Sequence, residues 1–237
     1  MKTKICVIIT GVLLFTATRL AAVPEDKIFT SSGQILPGEE WGNVYIYNDY
    51  TIVDMLGGNV DSIGTYDASM VNVIDGSVNT LEAHEFSTAN VSGGYVYTLW
   101  ARDSGTANLS DMGSVVSLSA RGSFGKVNMT DGTTEYLRAG DSGTINLHGG
   151  IVSEYLNAWD FATVYIYGYG FNYDPSAGNW NGGQLTGFYL DDTAFTIDLY
   201  DAQTYNHINL IPEPATVLLV SLGSLMLRRR RNNKAIM

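Results

Sequence analysis

Six carboxylates recur along this 237-residue chain at nearly constant spacing. Asp49, Asp67, Glu85 and Asp103 lie 18 residues apart, Gly122 interrupts the row, and Asp141 and Asp160 resume it. Carboxylates stacked at such intervals repel one another unless something neutralises them. Hard oxygen ligands of this kind suit Ca²⁺. Asp49, Asp67, Glu85 and Asp103 are therefore the candidate metal ligands, and Ca²⁺ is the one candidate cofactor. The competing expectation is a solvated column of turn residues, because Asp favours tight turns. The Gly-Gly-x-Gly-x-Asp nonapeptide of calcium-binding β-rolls is absent.

Other side chains suggest sugar chemistry. Arg102 and Arg121 share one position of the same spacing, close to Asp103 and Glu85. Clustered acids and bases of this sort would serve a polysaccharide lyase or hydrolase, and ion pairing with the acidic column would explain them equally. His84, His148 and His207 fall at different positions of the spacing, so no histidine pair is implied. No Gly-x-Ser-x-Gly, His-Glu-x-x-His or phosphate loop occurs. No catalytic residue is assigned. A run of rings, Tyr165, Tyr167, Tyr169, Phe171, Tyr173 and Trp180, offers flat apolar faces with polar tips that stack on sugars. Tyr167, Tyr169 and Trp180 are the candidate ligand contacts, with packing over a domain end as the competing role.

An element repeating every 18 residues must position these groups. One unit starts at Leu81 with Leu-Glu-Ala, another at Leu99 with Leu-Trp-Ala, another at Leu137 with Leu-Arg-Ala. The leading apolar position holds Tyr45, Ile63, Leu81, Leu99, Leu118, Leu137 and Leu156. Two residues later come Tyr47, Thr65, Ala83, Ala101, Ala120, Ala139 and Ala158. An amide column holds Asp54, Asn72, Asn90, Asn108, Asn128 and Asn146, then Tyr165. One-residue slips fall near Gly113, Phe124 and Ile151. Residues two apart face one side of a strand, and Gly-rich steps allow sharp corners. A unit of two or three short strands cannot bury its inward face alone, but stacked units share a continuous core. The expected fold is all-β: a parallel β-solenoid of about seven rungs spanning residues 41–167, on the order of 30 Å long. A left-handed hexapeptide coil also takes 18 residues per turn, but its sixfold apolar recurrence is missing, so a right-handed β-helix is expected. Stacked Asn side chains should bond along the axis and satisfy corner backbone groups. Residues 23–40 form a lead-in, and the aromatic-rich residues 168–210 a capping β region over the open end.

Composition bounds the partners. The formal net charge is −11, but most cations lie near the ends. Between Val23 and Ile211 only Lys27, Arg102, Arg121, Lys126 and Arg138 remain. Of the 24 acidic residues only Glu213 lies outside that body, so five cations face 23 anions there. This argues against nucleic acid, anionic lipid and acidic polymers. The single cysteine, Cys6, falls in the leader, so the body has neither disulfide nor thiol chemistry.

Both ends read as addresses. Lys2 and Lys4 precede an apolar run from Ile5 to Phe15, and small residues follow up to Ala21 and Ala22. This is the layout of a secretory signal peptide over residues 1–22, a helix removed by signal peptidase. At the other end, residues 211–237 join Pro212, Glu213 and Pro214 to an apolar run at 215–227, then to Arg228, Arg229, Arg230 and Arg231. The run is shorter than the ~20 residues of a relaxed spanning helix. The arginines supply a positive-inside stop, so a temporary transmembrane helix is expected. This tripartite pattern resembles the PEP-CTERM sorting signal of Gram-negative bacteria and covers only the last 26 residues or so. The resemblance implies recognition by an exosortase-type enzyme, cleavage near the motif, and delivery through an inner-membrane intermediate to the cell surface or exopolysaccharide matrix. The expected protein is a non-enzymatic structural or adhesive component of a biofilm matrix. Its alternatives are a polysaccharide-active enzyme on the same scaffold and a calcium-stabilised adhesin.

Overall fold

The chain alternates short apolar-inward stretches with turn residues, and every such stretch forms a strand. A computed structural model describes residues 24–212. The early strands are β1 (Lys27–Phe29), β2 (Gly33–Ile35), β3 (Glu40–Ile46), β4 (Ile52–Thr65), β5 (Met70–Ala83), β6 (Thr88–Val91) and β7 (Tyr95–Ala101). The middle strands are β8 (Thr106–Leu109), β9 (Ser114–Ala120), β10 (Lys126–Met129), β11 (Thr133–Ala139), β12 (Thr144–Leu147) and β13 (Ile151–Ala158). The last are β14 (Thr163–Asp174), β15 (Gln184–Tyr189), β16 (Ala194–Asp198) and β17 (Ile208–Pro212), with a 3₁₀ turn at Thr204–His207.

The strands stack in parallel as a β-solenoid. One column runs β2, the first half of β4, the first half of β5, then β6, β8, β10, β12 and β14. The other runs β1, β3, the second halves of β4 and β5, then β7, β9, β11 and β13. Seven turns are complete, from Gly33–Ile35 with Glu40–Ile46 through β12 with β13. In a middle rung Ala107, Leu109, Val115, Leu118 and Ala120 point inward and are buried. Two successive residues that are not buried, such as Asp61 and Ser62, separate buried Val60 from buried Ile63, so the second-column strand bends there. The same break recurs at Asn79 and at Tyr97, which the ladders skip.

Two corners close each rung. After the first-column strand, Gly58, Gly76, Gly94, Gly132 and Gly150 take positive φ, and Asp111 does so in the remaining middle rung. A Cβ on Gly94 would meet the Gly76 carbonyl oxygen at 2.7 Å, so the stacked backbone excludes side chains here. The opposite corner turns inside on small residues. Ser69 Oγ donates to the Tyr66 carbonyl, and Ser87 Oγ to the Thr65 and His84 carbonyls. At these two corners a serine, rather than the Asn column, satisfies backbone carbonyls.

The Asn column lies on the outer side of the first strand column. Asn72 donates to Asp54 at 2.7 Å, Asn90 to Asn72 at 2.8 Å and Asn108 to Asn90 at 2.6 Å. Asn128 donates to Asn108 at 2.7 Å and Asn146 to Asn128 at 2.8 Å. Asn72, Asn90, Asn108 and Asn128 each give one hydrogen to the rung before and accept one from the rung after, a double role that suits an amide.

Three slips in the 18-residue period are visible as structure. The first lies in the corner at Ser110–Gly113 and the second in the corner at Arg121–Gly125, while the third is a register shift between β11 and β13. The first rung differs from its expected register. Val44 and Ile46, not Tyr45 and Tyr47, pair with Ile63 and Thr65 and point inward. The chain spends its extra residue at the following corner, where Asn48 and Tyr50 both have positive φ.

The top of the stack is covered. The second half of β14 leaves the column and pairs antiparallel with β15, which pairs antiparallel with β16. Leu185, Tyr189, Phe195, Ile197 and Leu199 from this part join the common core. The parallel stack does not end at Tyr167, because β17 returns to pair with β14 in parallel. Nine strands then stack in the first column, a length of about 38 Å at the usual strand spacing. Among the described residues no helix is long and apolar enough to cross a membrane. The expected helices at 1–22 and 215–227 lie outside the described residues.

Candidate functional site

The acidic column sits at the corner between the second strand column and the next first-column strand. Asp67, Glu85, Asp103, Asp141 and Asp160 have φ between 54° and 58°, and Gly122 in the same place has φ 76°. This left-handed conformation is costly for most side chains and is visited by Asp and Gly. Three of the carboxylates reach back to the preceding rung. Asp67 Oδ2 accepts the Asn48 N–H at 2.9 Å, Glu85 Oε2 the Asp67 N–H at 3.2 Å, and Asp141 Oδ2 the Gly122 N–H at 3.0 Å. At these three positions a backbone donor faces the carboxylate. Asp49 stands outside this column: Asn48 takes the left-handed place, and Asp49 Oδ1 accepts the Ala68 N–H at 3.2 Å. Among the described residues no three His, Cys, Asp or Glu side chains gather as a metal site.

Arg102 pairs with a carboxylate outside the acidic column. Arg102 Nη2 lies 3.2 Å from Glu82 Oε1, and its guanidinium sits 4.0 Å from the Trp100 ring. Glu82 also holds His84, at 2.8 Å from Nε2. Tyr66 stacks on His84 and Tyr47 on Tyr66, both at 4.9 Å. Arg121 lies 5.8 Å from Trp100 and 5.3 Å from Trp159. Trp159 fits over Gly140, where a Cβ would meet the indole at 2.3 Å. The result is a braced outer band of rings and guanidinium groups, held by cation–π attraction and one ion-pair cluster.

The candidate rings do not form one platform. Tyr167, on β14, stacks on His148 at 3.9 Å. Tyr169 stacks on Phe188 at 5.4 Å, and its hydroxyl donates to Asp192. Trp180 packs edge-on to Tyr155 at 4.9 Å and lies 5.4 Å from Tyr200, beside the second column. Phe171 packs on Phe195, and Tyr173 stacks on Tyr205 at 3.8 Å, so these two rings belong to the cap.

A groove near the N-terminal end brings together residues that none of the sequence columns singled out. It has a volume of ≈ 680 Å³ and lies along the bend of the second column. Its floor is Asn59, Asp61, Ser77 and Asn79 from β4 and β5, with Val60 and Val78 between them. Tyr95 and Tyr97 of β7 bound one end, and Trp41, Asn43, Glu40 and Asp26 the other. The polar groups are pre-set. Asp26 Oδ1 accepts both the backbone and side-chain N–H of Asn43, at 2.8 and 2.9 Å. Asn79 donates to Asp61 Oδ1 at 3.1 Å. Trp41 is braced from behind: its Nε1 donates to Glu39 Oε2 at 3.1 Å, and Lys27 Nζ lies 4.4 Å from its ring. The Trp41 and Leu36 N–H groups and Lys27 hold the Glu39 carboxyl below the usual range. Tyr95 and Tyr97 are about half exposed, and among the described residues no Lys, Arg or His lines the groove. Aromatic faces beside amides and carboxylates in an open cleft suit a sugar chain without negative charge. The signal in the sequence was the outward sets 59, 77, 95 and 61, 79, 97, each at 18-residue spacing.

Pro212, the first residue of the C-terminal motif, ends β17 opposite Gly168. Glu213, Pro214 and the four arginines lie outside the described residues. Comparison of the chain with protein families, with curated proteins and with solved structures finds no match in any of the three.

Proposed function

We propose that this chain is an exported, non-enzymatic structural protein of the cell surface or extracellular matrix that binds neutral polysaccharide. The observation that carries the reading is the groove, where Trp41, Tyr95 and Tyr97 flank prealigned Asn43, Asn79, Asp26 and Asp61. The stacked strands hold this cleft without disulfides. A right-handed coil is the reading favoured by the missing sixfold apolar recurrence of left-handed hexapeptide coils. Export rests on the leader at 1–22, and surface sorting on the resemblance of the tail to an exosortase substrate. The strand β17 ends at Pro212, so cleavage just beyond it would spare the fold. Asp67, Glu85, Asp103 and their neighbours serve as corner residues in this reading rather than as Ca²⁺ ligands.

The test is binding of the full-length chain to a panel of neutral and acidic polysaccharides. The wild type should retain a neutral glycan, and Tyr95→Ala with Tyr97→Ala should weaken retention by roughly tenfold or more, the scale of two lost ring contacts. Equal retention of every neutral glycan by both proteins would defeat the groove reading. Shortening of any polymer, abolished by Asp61→Asn, would replace it with an enzymatic one. For sorting, alanines at Pro212, Glu213 and Pro214 should leave an unprocessed inner-membrane form.

A further inference from the structure

One corner edge carries rings at every second rung. At the tip of the acidic corner stand Tyr50, Phe86, Phe124 and Phe161, which are 85%, 78%, 73% and 85% exposed. Ala68, Ser104 and Ser142 fill the rungs between them. Backbone bonds hold the stack in line: the Phe86 N–H donates to Asp67 O, Phe124 to Asp103 O, Ser142 to Gly122 O and Phe161 to Asp141 O. Where the corner has an extra residue, at 47–51 and 121–125, a backbone bond still ties the ring-bearing residue to this row, the Tyr50 N–H to Ala68 O and the Phe124 N–H to Asp103 O. Adjacent rings are therefore about 9.5 Å apart along the axis, two strand spacings.

Such a row does not suit the partners that cover most apolar surface. A protein interface has a contiguous, close-packed apolar centre. Here the rings stand singly, with small residues between them and carboxylates at their feet. Nor does the edge suit a polyanion, with Asp67, Glu85, Asp103, Asp141 and Asp160 beside it. An extended β-linked glycan with a two-fold screw turns alternate sugars over. It presents the same ring face at every second residue, a repeat close to two strand spacings. Flat apolar rings stack on those faces, and the corner carboxylates can accept hydrogen bonds from sugar hydroxyls.

We propose that Tyr50, Phe86, Phe124 and Phe161 form a linear binding edge for an extended, uncharged β-linked glycan, distinct from the groove. It shares with the groove reading the premise that the partner is a glycan, but it uses other residues and can fail separately. The solenoid itself sets the spacing, so the edge measures the polymer's repeat.

The experiment is depletion of the full-length chain by microcrystalline cellulose, with granular starch as the helical α-linked control. The wild type should bind cellulose at least tenfold more tightly than starch. Replacing all four rings by serine should remove that preference while leaving the circular dichroism spectrum unchanged, since all four side chains are exposed. Tyr95→Ala with Tyr97→Ala should leave cellulose binding intact, which separates this edge from the groove. The spacing has its own test in Phe86→Ser combined with Ser104→Phe, which keeps four rings but breaks the two-rung interval. This pair should lose most of the affinity. Full binding by the four-serine or the shifted-ring protein overturns the proposal. So does a wild type that ignores cellulose, or a four-serine variant whose only change is loss of self-association in sedimentation.

Discussion

Single side chains hold the rungs in register. Asn108 both donates to Asn90 and accepts from Asn128. Asn108→Ala breaks both bonds, and at about 1 kcal/mol net for each it should cost about 2 kcal/mol, read as a lower urea midpoint at unchanged slope. His148 reports on pH. Burial against Tyr167 pushes its imidazole below the ordinary histidine value, so the folded chain resists a proton that the unfolded chain accepts. Between those two values the unfolded state binds more protons, and stability rises with pH. The urea midpoint should therefore fall as pH drops through about 6.5, and His148→Asn should flatten that fall. Little of this detail was legible in the chain. The Asn column was, because identical amides at one spacing have a single economical use. The His148 environment was not, because its partner comes from the next rung.

Corners are the elements that decide the acidic column. Asp67, Glu85, Asp103, Asp141 and Asp160 share one left-handed backbone conformation with Gly122. A carboxylate chosen for metal would not tolerate glycine, whereas a corner chosen for backbone shape should prefer it. Asp103→Gly is expected to leave thermal stability nearly unchanged, while Asp103→Val should lower it by about 1–2 kcal/mol through the forced conformation. Chelator should shift neither variant. The bend in the second-column strands has a comparable consequence. It puts positions 59, 77 and 95 and positions 61, 79 and 97 along one concave line, which makes the groove. Inward positions were readable because burial demands apolar residues. The outward ones vary freely, so their alignment shows only once the bend is known.

At the scale of the whole molecule, the fold is a stack whose rungs contact mainly their neighbours. Such a body tolerates loss of a unit if the joint keeps register. Excising residues 88–105 joins Ser87 to Thr106, the ladder partner of Thr88 one rung on. The shortened chain should fold cooperatively, with a rod shorter by about 4.8 Å in solution scattering. Loss of cooperative unfolding would show that the rungs are not equivalent. The top needs its own closure: β15 and β16 turn antiparallel, and β17 then resumes the stack.

The sequence by itself determined the period, the inward apolar columns, the Asn ladder and the acidic charge of the body. These follow from local rules, since a repeat of strand and turn residues can bury its apolar face only by stacking. Tertiary structure alone decided the register of the first rung, the return of β17, the separation of Tyr167 from Trp180 and the making of the groove. Each of these depends on where a corner spends an extra residue or a strand bends. A one-residue shift there moves side chains between the core and the surface, and in the first rung the local pattern did not record it, although it did near Gly113, Phe124 and Ile151.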